Sequence, residues 1–177
     1  MAQLIQINLA FVPVEDRILL KIACGEPGAM SEFRIWLTRR FVKLLWSALE
    51  QVLDSSTNAD PRIAAESKDA VKQFQQSMAL SQADFATPYT SENVNVPLGP
   101  TPLLVYKLQI KNGSDDTQIL FMEGITGQTI NITMTIPLIY SLRKLLSEKL
   151  KEAAWDMSFS ALSEEGPYFA TATDSVN

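Results

Sequence analysis

The chain has 177 residues, 46% of them hydrophobic and 20% charged, a balance typical of one folded domain and not of disordered, collagenous or coiled-coil proteins. Its 15 basic and 20 acidic residues give a net charge of -5, which disfavours nonspecific binding to nucleic acid and to anionic membranes. The sequence has no histidine, which removes the commonest general base and metal ligand, and its single cysteine cannot form an internal disulfide. These counts favour a noncatalytic protein without a metal or other cofactor.

The sequence also bears on cellular location. No apolar run reaches the roughly 18–20 residues that a membrane helix needs. The N-terminal segment alternates between apolar and polar side chains and has no basic residue before its apolar stretch, which is typical of a strand and not of a signal peptide. We therefore expect a cytoplasmic protein that does not bind membranes.

The first half of the chain has the pattern of three strands followed by a helix. Apolar and polar side chains alternate over residues 5–11, 18–24 and 33–37, which predicts strands with one buried face. Thr38 is the predicted N-cap of a helix in which apolar residues recur at helical spacing as far as Val52.

The same order returns in the second half of the chain. Residues 104–110, 119–121 and 130–134 predict three more strands. The even-numbered residues of the first of them and the odd-numbered residues of the middle one are predicted to face inward, so that Val105 faces outward. Thr135 is the predicted N-cap of a second long helix, whose leucines form a stripe that ends at Leu150. We interpret the two halves as a duplicated βββα unit.

A segment over residues 55–100 separates the two units. Its first part predicts an inserted third helix over residues 60–83, with a narrow apolar stripe that includes Phe74 and Met78. Its second part, residues 84–100, is rich in proline and predicts a long extended loop. The predicted layout is a single domain over 1–177, with a first unit at 1–54, the insertion at 55–100, a second unit at 101–156 and a tail at 157–177.

These patterns predict an α+β fold in which one or two antiparallel sheets pack against two long helices. The helix-facing sheet surface and the apolar faces of the helices form the predicted core. Its members include Phe11, Ile22, Ile35, Leu45, Leu108, Phe121, Ile132 and Leu145.

The opposite face of the predicted sheet is mixed, because apolar side chains lie there among charged ones. Either the inserted helix and the aromatic tail cover this face, or another protein contacts it, or it forms part of a small-ligand pocket. The candidate binding residues are Trp36, Arg34, Lys21, Lys107 and Met122 on this face, with Arg39 and Arg40 at its border.

The interpretation that needs no special chemistry is a noncatalytic interaction or assembly module that forms homo-oligomers through a sheet face or edge. The alternative is single-stranded nucleic acid binding on the outer face, with Trp36 as a stacking platform and the neighbouring basic residues tracking phosphates. In topology alone, the predicted order resembles whirly-type and Pur-type nucleic acid binding folds. The acidic net charge and the single outward aromatic residue in the strands disfavour this alternative.

An enzyme is the third class, and no catalytic motif supports it. The most suggestive residue is Glu123, at a strand end before Gly124, where burial would raise the pKa of its carboxyl. The Gly124-x-x-Gly127 spacing lacks the further glycines and the strand-to-helix context of a phosphate-binding loop. We expect neither a catalytic residue nor a metal ligand in this chain.

Overall fold

A computed structural model describes residues 4–26, 29–58, 64–90 and 94–156 and shows an α+β fold, as predicted. The strands are β1 (Leu4–Val12), β2 (Arg17–Glu26), β3 (Ala29–Leu37), β4 (Leu103–Asn112), β5 (Thr117–Gly124) and β6 (Thr129–Thr135). The α-helices are α1 (Arg39–Asn58), α2 (Lys68–Gln82) and α3 (Ile136–Ala153). Each half of the chain therefore has three strands followed by a long helix, whereas a common origin of the two halves stays a prediction.

The strands form one sheet with the order β1-β2-β3-β4-β5-β6. Pairing is antiparallel within each half, but β3 and β4 run parallel and pair only at Ile35 with Leu103 and at Trp36 with Leu104. Each half is an antiparallel sheet, as predicted, and the parallel contact between β3 and β4 makes the joined six-stranded sheet mixed. The physical reason is the long connection through α2, which brings the chain back to start β4 beside β3 in the same direction.

The register of the first half confirms the predicted alternation. Leu20 of β2 pairs with Ile35 of β3, and both side chains lie in the core, Ile35 with none of its surface exposed. On the opposite face Leu19 pairs with Trp36, which is only partly buried. The side of the sheet that carries Trp36 is called the outer face below.

In the second half, the structure corrects the orientations predicted for two residues of β5. Leu120 and Met122 of β5 are buried, Met122 with only 1% exposed, whereas Phe121 lies between them on the outer face. Four consecutive apolar residues at 119–122 fit either orientation, and the pairing of Leu120 with Ile132 settles it. Phe121 is therefore not a core residue, and Met122 is not part of an outer binding surface.

A β-bulge corrects the orientation predicted for β4. The register with β5 shifts between Val105 and Lys107, so that Tyr106 is an extra residue in the strand. As a result, Leu103 and Val105 are buried before the bulge and Leu108 is buried after it. Val105, predicted to face outward, therefore belongs to the core.

The two halves share one hydrophobic core. Helix α1 begins as predicted, because the Thr38 hydroxyl accepts a hydrogen bond from the Phe41 amide at 3.2 Å. Helix α3 packs against β1 of the other half as well as β6 of its own. An apolar void of about 10 Å³ is lined by Leu20 of β2, Leu120 of β5 and Ile132 of β6. Since side chains from distant strands line one void, the sheet is curved around its helices.

The inserted helix α2 contacts α1 and α3, which places it on the helix side of the sheet, so it does not supply the cover of the outer face that one of the three alternatives assigned to it. Lys72 of α2 forms ion pairs with Glu50 at 3.2 Å and with Asp54 at 2.5 Å, both in α1. Phe74 and Met78 of the predicted stripe are exposed, Phe74 by 66%. The predicted start of this helix and the tail from residue 157 onward lie outside the described residues.

Candidate functional site

A buried charged residue occupies the outer face of the first half. Glu32 of β3 has no exposed surface, although it lies on the outer face, as Arg34 and Trp36 do. Its carboxylate accepts hydrogen bonds from Arg34 Nε at 2.5 Å and from the Tyr89 hydroxyl at 2.7 Å. Lys21 of β2 lies over the Tyr89 ring, with Nζ 5.8 Å from the ring centroid. These four residues are called the Glu32 cluster below.

The hydrogen bonds of the Glu32 cluster decide its protonation state. Burial raises the pKa of the Glu32 carboxyl, but the hydrogen bonds from Arg34 and Tyr89 outweigh burial, so the pKa lies below its usual range. Burial, reinforced by the bond to Glu32, raises the pKa of the Tyr89 hydroxyl well above its ordinary value. The cluster therefore holds an ionised glutamate and a neutral tyrosine over the neutral pH range.

Tyr89 belongs to the connection between α2 and β4, which crosses the outer face. The described residues of 84–100 are called the crossing segment. Its Thr90 amide approaches Gln6 Oε1 of β1 at 3.5 Å. Its Asn95 donates to the Met30 carbonyl at 2.9 Å and accepts from the Glu32 amide at 2.7 Å, which continues the sheet beside β3. The long predicted loop thus packs on the outer face of the first half, where it contacts Gln6, Lys21 and Glu32.

We expect Tyr89→Phe to lower the free energy of unfolding by about 1–2 kcal/mol, since the ring stays while Glu32 loses a hydrogen-bond donor inside a buried cluster. The measurement is urea unfolding followed by circular dichroism. Tyr106→Phe is the matched control, because the Tyr106 hydroxyl also donates to a glutamate but at an exposed site. Equal losses in the two variants would contradict a buried Glu32 cluster.

The outer face of the second half carries a second ion pair. Lys107 Nζ lies 3.0 Å from Glu123 Oε2, and the Tyr106 hydroxyl donates to Glu123 Oε1 at 3.1 Å. The Lys107 hydrogen bond, followed by that of Tyr106, holds the pKa of the Glu123 carboxyl below its usual range. The expectation that burial raises this pKa is therefore wrong, and Glu123 is an ionised partner of Lys107.

The candidate basic residues do not form one continuous track. Arg34 pairs with Glu32 and Lys107 with Glu123, and Lys21 lies over Tyr89. Arg39 lies at the start of α1, where it pairs with Asp16 at 3.3 Å, and its guanidinium carbon is 5.2 Å from the ring centroid of Trp155. Arg40 is exposed and lines a surface pocket beside β4. The strand register thus brings together Lys21, Arg34 and Trp36 on β2 and β3, whereas Arg39 and Arg40 lie on α1.

Sequence reasoning missed the Glu32 cluster and the pocket at Arg40. Glu32 was recognisable only as one more outward polar residue, because its burial depends on Tyr89, 57 positions away in the chain. The pocket depends on the β-bulge at Tyr106, which interrupts an otherwise regular alternation. In neither place does the local sequence carry a signal that distinguishes these residues from ordinary surface positions.

Comparisons with protein-family models, with curated proteins and with solved structures gave no significant match to this chain. Within the described ranges, no group of three or more histidine, cysteine, aspartate or glutamate side chains is arranged to hold a metal ion. None of the described helices combines the length and apolar character that crossing a membrane requires. The single cysteine, Cys24, lies partly buried against the core, and burial raises the pKa of its thiol.

Proposed function

We propose that this chain is a noncatalytic interaction module that self-associates by pairing β6 with β6 of a second copy. The observation that carries the proposal is the composition of this edge. Strand β6 ends the sheet, and its seven residues, Thr129–Thr135, contain neither a charge nor a proline. Charged residues and prolines are the usual devices by which edge strands avoid pairing with other chains.

The side chains of β6 also suit pairing. Ile130, Ile132 and Met134 are buried beneath the helices, which fixes the orientation of the strand. Thr129 and Asn131 lie exposed on the outer face. A second copy related by a twofold axis would extend the sheet by antiparallel backbone hydrogen bonds, with the polar side chains of both copies on one surface.

The other edge of the sheet is less suited to this role. Strand β1 also lacks charged residues, so its composition alone does not distinguish it from β6. The crossing segment, however, passes close to this strand, since Thr90 approaches Gln6. A second strand arriving at β1 would meet that segment, whereas the described residues place no segment beside β6.

The outer face gives less support to nucleic acid binding than to this edge. A single-stranded nucleic acid needs cations along its phosphates and accessible aromatic rings for its bases. Arg34 and Lys107 of this face each pair with a glutamate, and Trp36 is partly buried. These carboxylates would repel phosphates at the positions where a track of positive charge is needed.

We expect the purified chain to be a dimer at micromolar concentrations and Asn131→Lys to raise its dissociation constant by about fivefold or more. A lysine at this position in both copies places like charges close together across the new strand pair, at a cost of about 1 kcal/mol. Light scattering coupled to gel filtration over a dilution series measures this change.

Gln109→Lys is the matched control for this experiment. Gln109 of β4 lies in the same cross-strand row as Phe121 and Asn131, but it is inside the sheet. The control adds the same charge to the same face and should leave the dissociation constant unchanged. A monomeric wild-type chain, or equal weakening by the two variants, refutes pairing through β6. Tight, salt-dependent binding of a labelled oligonucleotide would instead favour the nucleic acid alternative.

A further inference from the structure

A pocket of about 170 Å³ lies where the start of α1 meets β4 and the loop between β5 and β6. Phe41 of α1 and Val105 of β4 line it and belong to the core, each with only 2% of its surface exposed. Two large apolar residues that also line the pocket are exposed, Tyr106 by 43% and Ile125 by 64%. The pocket thus extends from the edge of the core to an apolar rim at the surface.

The rim of the pocket is held in place by hydrogen bonds. The bulge in β4 removes Tyr106 from the regular alternation of the strand, and the Tyr106 hydroxyl donates to Glu123 at 3.1 Å. The Ile125 amide donates to the Leu104 carbonyl at 3.0 Å, which ties the β5–β6 loop to β4. The fold therefore forms this pocket without a ligand, as is usual for small-molecule sites.

Polar groups beside the pocket have partners within the chain. The Thr38 hydroxyl accepts a hydrogen bond from the Phe41 amide, and the Leu104 carbonyl accepts one from the Ile125 amide. Leu44 of α1 adds a further apolar wall. A ligand would therefore be bound mainly by apolar contact with the walls.

Charges of both signs lie around the pocket. Arg40 lines it and has a contact of its own within the protein, while Arg39 pairs with Asp16. The Glu123 carboxylate lies at the mouth, where it accepts the bond from Tyr106. A ligand of either charge would be attracted by one of these groups and repelled by the other, and it would lose water on entering an apolar site. The pocket therefore suits an uncharged molecule.

The size and the walls of the pocket indicate one aromatic ring. A cavity of about 150 Å³ with apolar walls accommodates one benzene molecule, whereas pockets for drug-sized ligands begin at roughly 300 Å³. Phe41 and Tyr106 contribute aromatic rings to the lining, and ring pairs are stabilised beyond the burial of their area. The positive charge of Arg40 also favours a π system over a saturated ring.

We propose that this pocket binds a neutral aromatic molecule of one ring. The ring lies against Phe41 and Ile125, and a small polar substituent lies at the mouth near Tyr106, where it keeps its contact with water. The proposal concerns a small ligand and does not depend on pairing through β6.

Titration of the full-length chain with benzyl alcohol tests this proposal. The methyl groups of Ile125, Leu104 and Leu44, followed by NMR, detect a ring in the pocket because its ring current shifts their resonances. We expect saturable shifts at all three residues with a dissociation constant of about 1 mM or lower, a reasonable affinity for so small a ligand. The absence of saturable shifts up to about 20 mM overturns the proposal.

Three matched compounds test the class of ligand. Cyclohexylmethanol carries the same substituent on a saturated ring, benzoate is an anion, and benzylamine is a cation at neutral pH. We expect cyclohexylmethanol to bind at least about threefold more weakly than benzyl alcohol, and the two ions at least about tenfold more weakly. Equal affinity for cyclohexylmethanol overturns the preference for an aromatic ring. An ion that binds as tightly as benzyl alcohol overturns the preference for a neutral ligand.

A pair of substitutions tests the location of the site. We expect Ile125→Asp to weaken the binding of benzyl alcohol at least about tenfold, because it replaces an apolar wall by a charge that needs water. Phe74→Asp is the matched control, since Phe74 of α2 is an apolar residue of nearly the same exposure and does not line the pocket. It should leave the dissociation constant unchanged. Equal weakening by the two variants overturns the assignment of the ligand to this pocket.

Discussion

Met122→Ala is expected to lower the free energy of unfolding by about 2–5 kcal/mol, the range for removing a large apolar side chain from a packed core. Met122 is buried among residues of both halves of the chain, and it lines the void that β2, β5 and β6 share. The cavity left behind cannot be filled by small shifts, because curved strands surround it on several sides. Urea unfolding followed by circular dichroism, with linear extrapolation to water, measures the loss.

Phe121→Ala is the matched control for this prediction. Phe121 is the next residue along β5, but it lies on the outer face between Gln109 and Asn131. We expect a loss below about 1.5 kcal/mol, because its ring is only partly removed from water. A larger loss of stability in Phe121→Ala than in Met122→Ala would contradict the register of β5. It would support instead the inward orientation that the sequence predicts for Phe121.

Glu32→Ala is expected to lower the free energy of unfolding by about 3 kcal/mol at neutral pH. The substitution leaves Arg34 and the Tyr89 hydroxyl without their acceptor in a covered site, and breaking a buried ion pair costs about 3–5 kcal/mol. The lower end of this range applies because Arg34 is partly exposed and regains some contact with water. Glu26→Ala, at an exposed position at the end of β2, should change stability by less than about 0.5 kcal/mol.

The stability difference between wild type and Glu32→Ala should depend on pH if it comes from the charge of Glu32. The pKa of Glu32 is lower in the folded chain than in the unfolded chain, so its charge stabilises the fold fully above the ordinary glutamate pKa of about 4.3. The contribution is lost as the pH falls from there through the folded-state pKa. We therefore expect the stability difference between wild type and Glu32→Ala to shrink in acid. A difference that stays constant down to pH 3 would point to lost packing instead of lost charge.

The Glu32 cluster also bears on the proposed function. It anchors Tyr89 of the crossing segment to β3, and the backbone bonds of Asn95 continue that attachment along the strand. A surface that is already occupied by the chain itself is a poor site for a partner. The edge at β6 has no such cover among the described residues, which is why we place self-association there and not on the outer face.

Local sequence determined the types of the elements and much of their orientation. The alternation around Ile35 and Trp36 orients β3, and Thr38 caps α1 as its position before a helical stripe predicts. These features depend on neighbours within a few residues, and their periodicity is therefore visible in the sequence. Where four apolar residues are consecutive at 119–122, the periodicity is ambiguous, and the prediction for Phe121 and Met122 was wrong.

The tertiary structure decided which strands meet and what covers each face. The parallel contact between β3 and β4, the burial of Glu32 by Tyr89 and the pocket beside Tyr106 all join residues that are distant in the chain or depend on an irregular strand. Which of these long-range contacts form depends on the combined packing of the whole core and on which buried polar groups find partners. These contacts depend on residues that are far apart in the sequence, so the pattern of neighbouring residues does not predict them.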